Sequence, residues 1–212
     1  MKRIITLLTV CLLAMNVNGF CQESSSISLP APDTTGGKPL MQALKLRHTS
    51  RAFDSKPLPS QVLSNLLWAA FGVNRPDGHR TAPSAMNWQE TEIYVALADG
   101  LYLYDAQTQS LKLVMKDDMR GKTGTQGFVK DAPVDLVYVS DLSKTGRASP
   151  EDQTLYTAAD CGFIAQNVYL YCASEGLACV VRGSINREEF AKAAGLKANE
   201  KVILSQTIGY PK

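Results

Sequence analysis

The chain has 212 residues and a mass of 23.0 kDa, which is enough for one domain with a hydrophobic core and too little for two domains of ordinary size. Its residues are 45% hydrophobic and 20% charged, and these fractions exclude disordered, collagen-like, coiled-coil and multi-pass membrane proteins. The net charge of +2 gives no basis for a charge-driven partner, so we expect no nucleic-acid binding.

The N-terminus has the pattern of a secretory signal. Lys2 and Arg3 precede an apolar run from Ile4 to Met15, and a small, polar stretch follows. We therefore predict a signal peptide over residues 1–21 and an exported, periplasmic protein, with a lipid anchor at Cys21 as the alternative fate of this terminus. Removal of residues 1–21 takes away two basic residues, so the mature chain has 20 basic and 20 acidic residues.

The next segment, residues 22–38, is rich in Ser, Pro, Thr and Gly and has no apolar period, which predicts a flexible leader. The folded domain is then expected over residues 39–212. It begins with a short helix that ends at a basic cluster near Arg47. A second helix is predicted from Ser60, which can cap it, to Gly72, where a C-terminal cap belongs.

The remainder of the chain alternates apolar segments with turns. Strands are predicted at Thr91–Leu97, Leu101–Tyr104, Leu111–Met115, Val134–Val139, Leu177–Val181 and Val202–Ile208. A long apolar helix is expected over Leu155–Ala173, and Asn186 with Glu189 resembles a capping box. The predicted fold class is α+β, with helices packed on a mixed, mostly antiparallel sheet and the long helix buried in the fold or in a subunit interface.

Three cysteines remain after loss of the signal: Cys161, Cys172 and Cys179. Their spacing matches no metal-binding pattern, so no metal site is predicted. Cys172 and Cys179 flank a predicted corner at Gly176, where an exported protein could oxidise them. Buried free thiols are the more common alternative.

The chain lacks the P-loop, the dinucleotide-binding glycine motif, HExxH and GxSxG, which removes the usual support for hydrolase readings. Three polar clusters at element ends remain. The first is Arg47-His48-Thr49-Ser50-Arg51, whose guanidiniums and hydroxyls can bind a phosphate, although a solvated helix end is the simpler explanation of this cluster alone.

The second cluster, Pro83-Ser84-Ala85-Met86-Asn87, places a hydroxyl and an amide in one turn before a strand. The third, Val181-Arg182-Gly183, ends a strand at a glycine that can expose backbone donors to a ligand. Either cluster alone fits ordinary turn chemistry.

Together, in this order and with the helix DCGFIAQNVYLYCASEGL between the last two, these clusters resemble the nitroreductase family of FMN-dependent oxidoreductases. The resemblance covers roughly Pro39 to Lys212. It implies a nitroreductase-like fold with FMN as cofactor and a set of cofactor-binding residues: Arg47, His48, Thr49, Arg51, Ser84, Asn87, Arg182 and Gly183. In this assignment the first four hold the phosphate and ribityl chain, and the others lie at the flavin.

The resemblance also implies hydride transfer at flavin N5, for which the protein needs no nucleophile, so no catalytic side chain is assigned. Members are typically homodimers with FMN at the subunit interface. Lys212 is a candidate for the basic residue that many members have near the C-terminus. Trp88 and Tyr156 could line the substrate space, although core or interface positions are more common for aromatic residues.

The segment GLYLYDAQTQSLKLV resembles the branch of SagB-type dehydrogenases. Because an exported enzyme meets little NAD(P)H, we expect a dehydrogenase of a small organic substrate with an unknown electron donor or acceptor. An NAD(P)H-dependent nitro or quinone reductase and a non-catalytic flavin-binding protein are the alternatives.

Overall fold

The computed structural model describes residues 26–212, and the predicted signal peptide with Cys21 lies outside them. The α-helices of this part are α1 (Leu40–Leu46), α2 (Ser60–Phe71), α3 (Pro150–Glu175) and α4 (Arg187–Ala194). Its strands are β1 (Ser26–Ser28), β2 (Phe53–Asp54), β3 (Thr91–Leu97), β4 (Gly100–Asp105), β5 (Ser110–Met115), β6 (Val134–Asp141), β7 (Ala178–Arg182) and β8 (Glu200–Pro211).

The strands form one sheet in which β1, β5, β4, β3, β6 and β8 are successive neighbours, with β7 and the short β2 also paired to β8. Every strand pairing within residues 26–212 is antiparallel. The predicted α+β class and the six predicted strands are therefore confirmed. β8 has a central position, because β6 and β7 pair with overlapping parts of it.

The sequence pattern explains which strands lie in the core. β6 is buried at seven of its eight positions, as expected for an apolar strand with neighbours on both edges. β3 and β4 are joined by a tight turn in which Leu97 pairs with Gly100, so the predicted Asp99-Gly100 turn sits at the hairpin end.

Helix α3 is longer than predicted and buried along one face. Ser149 caps its N-terminus by accepting the Asp152 N–H, and Gly176 ends it at a φ of 72°. Its buried residues are Thr157, Asp160, Cys161, Ile164, Ala165, Val168, Tyr169 and Cys172. The opposite face exposes Leu155 and Phe163, so burial within this chain accounts for only half of the apolar pattern.

The cap predictions are correct at one helix and wrong by one residue at another. Asn186 Oδ1 accepts the Glu189 N–H at 3.1 Å, which is the N-cap contact that the predicted capping box requires, and Glu189 Oε2 accepts from the side-chain amide of Asn186 at 3.3 Å in place of its backbone N–H. Ser60 is instead the first residue of α2, and Pro59 occupies the N-cap without a side-chain hydrogen bond. Proline is favoured near a helix start because it has no N–H to satisfy.

The predicted flexible leader requires a correction over its described part. Ser26–Ser28 pairs with β5, and Leu29 is buried with the main core. The segment then crosses α2, where Ser64 Oγ donates to Pro30 O at 2.5 Å and the Asp33 N–H donates to Asn65 Oδ1 at 2.9 Å. Side chains of a helix distant in sequence thus order this segment, although its own composition predicts flexibility.

All three described cysteines are free and buried, as the commoner alternative expected, so Cys172 and Cys179 form no disulfide. Burial raises the pKa of the Cys161 thiol to about 12. Within residues 26–212 no helix has the length and apolarity needed to cross a membrane.

Candidate functional site

Tyr169 of helix α3 joins the first and third polar clusters. The Arg47 guanidinium lies 5.3 Å from the centre of the Tyr169 ring, a cation–π distance. The Tyr169 hydroxyl lies 3.1 Å from Thr49 Oγ1 and accepts the Val181 N–H at 2.9 Å. The predicted association of the basic cluster with the end of β7 therefore has a specific geometric basis.

The basic cluster itself runs along β7, with the Ser50 N–H donating to Cys179 O at 3.0 Å. Its neighbouring side chains have different surroundings. His48 Nδ1 lies 2.8 Å from Leu46 O, and His48 and Ser50 line a separate cavity of about 260 Å³ that also includes Cys172. The structure therefore does not group His48 with Arg47 around Tyr169.

Cations gather at this cluster without carboxylates. The Lys212 N–H donates to Ala52 O at 3.4 Å, which places the last residue next to Arg51. Within residues 26–212 no carboxylate lies within 4.0 Å of the charged groups of Arg47, Arg51 or Lys212. Two guanidiniums without a carboxylate partner in this part of the chain, together with a lysine whose backbone lies beside Ala52, suit a dianionic phosphate group.

The side chain of Arg182 faces the interior of the protein. Its side chain is buried, and its NH2 group donates to Asp135 Oδ1 at 2.9 Å and to Thr207 Oγ1 at 2.7 Å. NH1 donates to the carbonyl of Thr123 at 2.9 Å. A side chain on Gly124 would overlap the guanidinium, so the neighbouring loop closes over it. The guanidinium is therefore held by these interior partners, and the part of Arg182 left for a ligand is its backbone.

Burial disfavours the charged form of both Asp135 and Arg182. Desolvation raises the pKa of Asp135 to about 7, against the attraction of Arg182 and the hydrogen bond from Thr207. The same desolvation lowers the pKa of Arg182, against the charge of Asp135. The pair persists because each charge compensates the other, which is the usual condition for ionised groups in a protein interior.

Gly183, directly after Arg182, lies at the surface. A Cβ placed on Gly183 would meet no atom within 4 Å, so there is open space above this backbone. Its neighbour Val181 is the residue whose N–H is held by Tyr169. The end of β7 thus exposes backbone at Gly183, while the Arg182 side chain is buried.

The second cluster forms a tightly held loop, residues 84–89. Ser84 Oγ accepts the Gln89 N–H at 3.0 Å, and the Ala85 N–H donates to Asp160 Oδ2 at 2.8 Å. Met86, Asn87 and Gln89 have φ values of 52°, 55° and 48°. Non-glycine residues rarely adopt this region, and such strain is concentrated at functional sites.

One chain does not bring all predicted residues to a single point. Loop 84–89 is held at Asp160, whereas the basic cluster is held at Tyr169, nine residues further along α3. At 1.5 Å per residue this is a separation of about 13 Å along the helix axis. The structure therefore presents two half-sites on one helix.

Sequence reasoning did not find Tyr169, Asp160 or Glu90. Tyr169 and Asp160 lie within an apolar helix pattern that predicts core positions, so no local signal marks them. Glu90 is fully buried at the start of β3, and its Oε2 has no hydrogen-bond partner within the described chain. Burial, with a smaller contribution from the charge of Asp160, raises the pKa of Glu90.

Comparison with known proteins decides the family. The model of the nitroreductase family matches residues 44–210. The chain belongs to the nitroreductase family. A protein of Methanocaldococcus jannaschii assigned to the nitroreductases is 30% identical over 180 residues, which are 80% of this chain and 90% of that protein.

Solved structures agree with this family and fold. A crystal structure from Ralstonia eutropha JMP134, assigned as a nitroreductase, is 48% identical, has a TM-score of 0.85 and covers 88% of this chain and 90% of its own. A Desulfovibrio desulfuricans structure described as a nitroreductase in complex with FMN is 20% identical, has a TM-score of 0.60 and covers 83% of this chain and 88% of its own. The predicted nitroreductase-like fold is thus confirmed.

Proposed function

We propose that this chain is an FMN-dependent oxidoreductase that acts on a small organic substrate. The observation that carries the proposal is the Arg47 guanidinium on the Tyr169 ring, which, like Arg51 four residues later, has no carboxylate partner among residues 26–212. Arg47 and Arg51 bind the FMN phosphate, Thr49 lies beside the ribityl chain, and Lys212 adds positive charge. Membership of a family that uses FMN supports the same assignment.

The flavin ring is assigned to the open space above Gly183. Backbone N–H groups at this strand end can donate to the ring edge, where they favour the additional charge of the reduced form. Bound FMN would supply the hydride transfer. The chain itself then needs to bind the cofactor, orient the substrate and exclude water. Ser84 and Asn87 are proposed to complete the ring site from the loop 84–89, whose strained backbone is already in place.

A homodimer would unite the two half-sites. Helix α1 exposes Leu40 and Met41 at 62% and 76%, and α3 exposes Leu155 and Phe163 at 63% and 49%. Four large apolar side chains on two helices that pack together form the kind of surface that subunit interfaces cover. In such a dimer the loop 84–89 of one subunit can approach the basic cluster of the other.

Light scattering of the flavin-loaded protein tests the dimer. We expect twice the mass of one chain, and Phe163→Glu should shift the protein toward monomers and lower its FMN content together. Val114→Glu, at a large apolar residue with 39% exposure in β5, is the matched control. A flavin-loaded wild-type monomer would contradict the shared site.

For the direction of electron flow we propose a dehydrogenase outside the cytoplasm. The support is the signal pattern of residues 1–21, because an exported enzyme has little access to NAD(P)H. The SagB-like segment, GLYLYDAQTQSLKLV, supports this direction less strongly than the signal pattern does. It forms β4 and β5, on the other side of β3 from the strands that lead to the basic cluster.

Anaerobic mixing of the flavin-loaded protein with candidate donors tests this direction. We expect NADH and NADPH to bleach the flavin absorbance slowly, and an electron-rich small molecule to bleach it faster. Rapid NAD(P)H oxidation with a nitroaromatic or quinone acceptor would instead support a reductase, the activity suggested by the names of the relatives. A flavin that no partner reduces or reoxidises would indicate a carrier or sensor.

A further inference from the structure

A second cavity, of about 690 Å³, lies beside the loop 84–89. Its lining includes Ala85, Met86 and Trp88 from the loop, Asp152 and Tyr156 from α3, and Arg147 from the segment before that helix. The volume is in the range of small-molecule sites. None of its residues belongs to the basic cluster that the proposed function assigns to the FMN phosphate.

Two aromatic rings form part of the cavity wall. The centres of the Trp88 and Tyr156 rings are 5.9 Å apart, and the ring planes meet at 77°, an edge-to-face arrangement. Tyr156 is 41% exposed, so the pair is not sealed in the core. Partly exposed aromatic rings at a cavity offer stacking surface to a planar ligand.

Met86 has an unfavourable backbone conformation and an unfavourable exposure, and packing explains neither. Its backbone is in the left-handed region at a φ of 52°, and its side chain is 84% exposed. Strain of this kind persists where the surroundings impose it, commonly at ligand sites. A methionine there gives the cavity an adaptable apolar wall.

The cavity lining holds one cation that has no carboxylate partner in the described part of the chain. Arg147 is exposed, and within residues 26–212 no carboxylate lies within 4.0 Å of its guanidinium. The other charged residue, Asp152, is a carboxylate in the first turn of α3, where its Oδ2 accepts the Ser149 hydroxyl at 3.0 Å and the positive end of the helix dipole favours its charge. A free guanidinium is the side chain best suited to a bidentate contact with a carboxylate.

We propose that this cavity is the substrate site and that it selects planar aromatic or heteroaromatic compounds with a carboxylate group. The ring stacks on Trp88 and Tyr156, and the carboxylate binds Arg147. The inference rests on the proposed function in one respect, because the loop 84–89 is the part of the chain assigned to the flavin ring. Arg147 is then the specificity-determining residue of the site.

A pair of probes with the same ring and different charge tests the proposal. 4-Nitrobenzoate and 4-nitrobenzamide are titrated separately into the protein, and binding is followed by the fluorescence of Trp88. Trp68 is the other tryptophan of the chain, so the titration uses a Trp68→Phe background. Flavin absorbance of the otherwise unaltered protein provides a second readout. We expect the acid to bind about ten- to a hundredfold more tightly than the amide, the ratio typical of a charge-assisted contact.

Three variants separate charge from stacking. Arg147→Gln should remove the preference for the acid and leave the affinity for the amide unchanged. Arg75→Gln, at an exposed arginine that does not line this cavity, should keep the wild-type preference. Trp88→Leu, followed by flavin absorbance, should weaken the binding of both probes by a similar factor.

Equal binding of acid and amide to the wild-type chain, no binding of either, or a preference that survives Arg147→Gln would overturn the proposal. The fluorescence readout needs no flavin. A chain that lacks FMN and still prefers the acid through Arg147 would therefore support this site and refute the proposed function. A wild-type chain that binds FMN normally but shows no preference for the acid would refute this site and leave the proposed function standing.

Discussion

Arg182 and Arg47 come from two motifs that together mark the family, and the structure treats them in opposite ways. Arg182 is 5% exposed and bound to Asp135, Thr207 and Thr123. Arg47 is half-buried, stacks on Tyr169 and has no carboxylate partner among the described residues. The charge of the first guanidinium is paired with Asp135, although its Nε has no hydrogen-bond partner among the described residues, and the second guanidinium is left for a group outside the chain.

This difference separates structural from binding charges. A buried ion pair gains little net stability, since desolvation offsets its attraction, but the loss of one partner leaves a bare charge in the interior. An uncompensated cation at the surface costs little in water and becomes strongly favourable when an anion arrives. Substitutions at the two regions should therefore affect different measurements.

The largest effect is expected at the buried pair. Asp135→Ala leaves the Arg182 guanidinium buried without its counter-charge, and the free energy of unfolding should fall by about 3–5 kcal/mol. Urea unfolding measures this loss. The double variant Asp135→Leu with Arg182→Met should recover most of it, because apolar residues need no compensation. A loss below about 1 kcal/mol in the single variant would show that the pair is not the structural charge we infer.

The next effect concerns cofactor affinity at the basic cluster. Arg47→Gln and Arg51→Gln should each lower FMN affinity by about ten- to a hundredfold, since each removes a charge-assisted contact with the phosphate. Equilibrium dialysis against FMN measures the change. The unfolding free energy of the flavin-free protein should stay within about 0.5 kcal/mol of wild type. Arg75→Gln is the control, and unchanged affinity in both cluster variants would remove the phosphate assignment.

A smaller effect on both the unfolding free energy and FMN affinity is expected at Tyr169, which contacts Arg47 of the basic cluster and Val181 of β7. Tyr169→Phe keeps the ring beneath Arg47 and removes the hydroxyl that accepts the Val181 N–H. We expect a loss of about 1–2 kcal/mol in unfolding free energy and a decrease of about fivefold in FMN affinity. Tyr171→Phe, on the same helix, loses only a long hydrogen bond to Val62 O at 3.3 Å and should leave FMN affinity unchanged.

The smallest effect is expected at Glu90, a buried carboxyl group whose Oε2 has no hydrogen-bond partner among the described residues. Burial raises the pKa of Glu90 above its ordinary value of 4.5, so the folded state holds this proton more tightly than the unfolded state does. Its contribution to stability is therefore present at low pH and lost as pH rises through the folded-state pKa. The difference in unfolding free energy between Glu90→Gln and wild type should shift in favour of Gln between pH 5 and pH 8. A difference that is constant with pH would place Glu90 in a compensated environment.

Local pattern was sufficient for most elements of the fold. Alternation and apolar runs located β3 to β8 to within a few residues, and Asn186 with Glu189 marked α4. Pattern failed where partners distant in sequence decide the structure. Ser26–Ser28 becomes a strand because β5 offers an unpaired edge, and residues 30–33 are ordered by hydrogen bonds from α2.

The sequence alone determined the family, the α+β class and the three motifs, because these depend on residue order and on apolar periods of about 2 and 3.6 residues. Only the tertiary structure decided which motif side chains face a ligand. Arg182 is drawn inward because Asp135 is buried opposite it on the sheet, and His48 lines a cavity with Ser50 while Arg47 and Thr49 contact Tyr169. Likewise Trp88, Tyr156 and Arg147 meet at one cavity through the packing of the loop 84–89 on α3. The direction and compensation of a charge depend on side chains far apart in sequence, which no local pattern records.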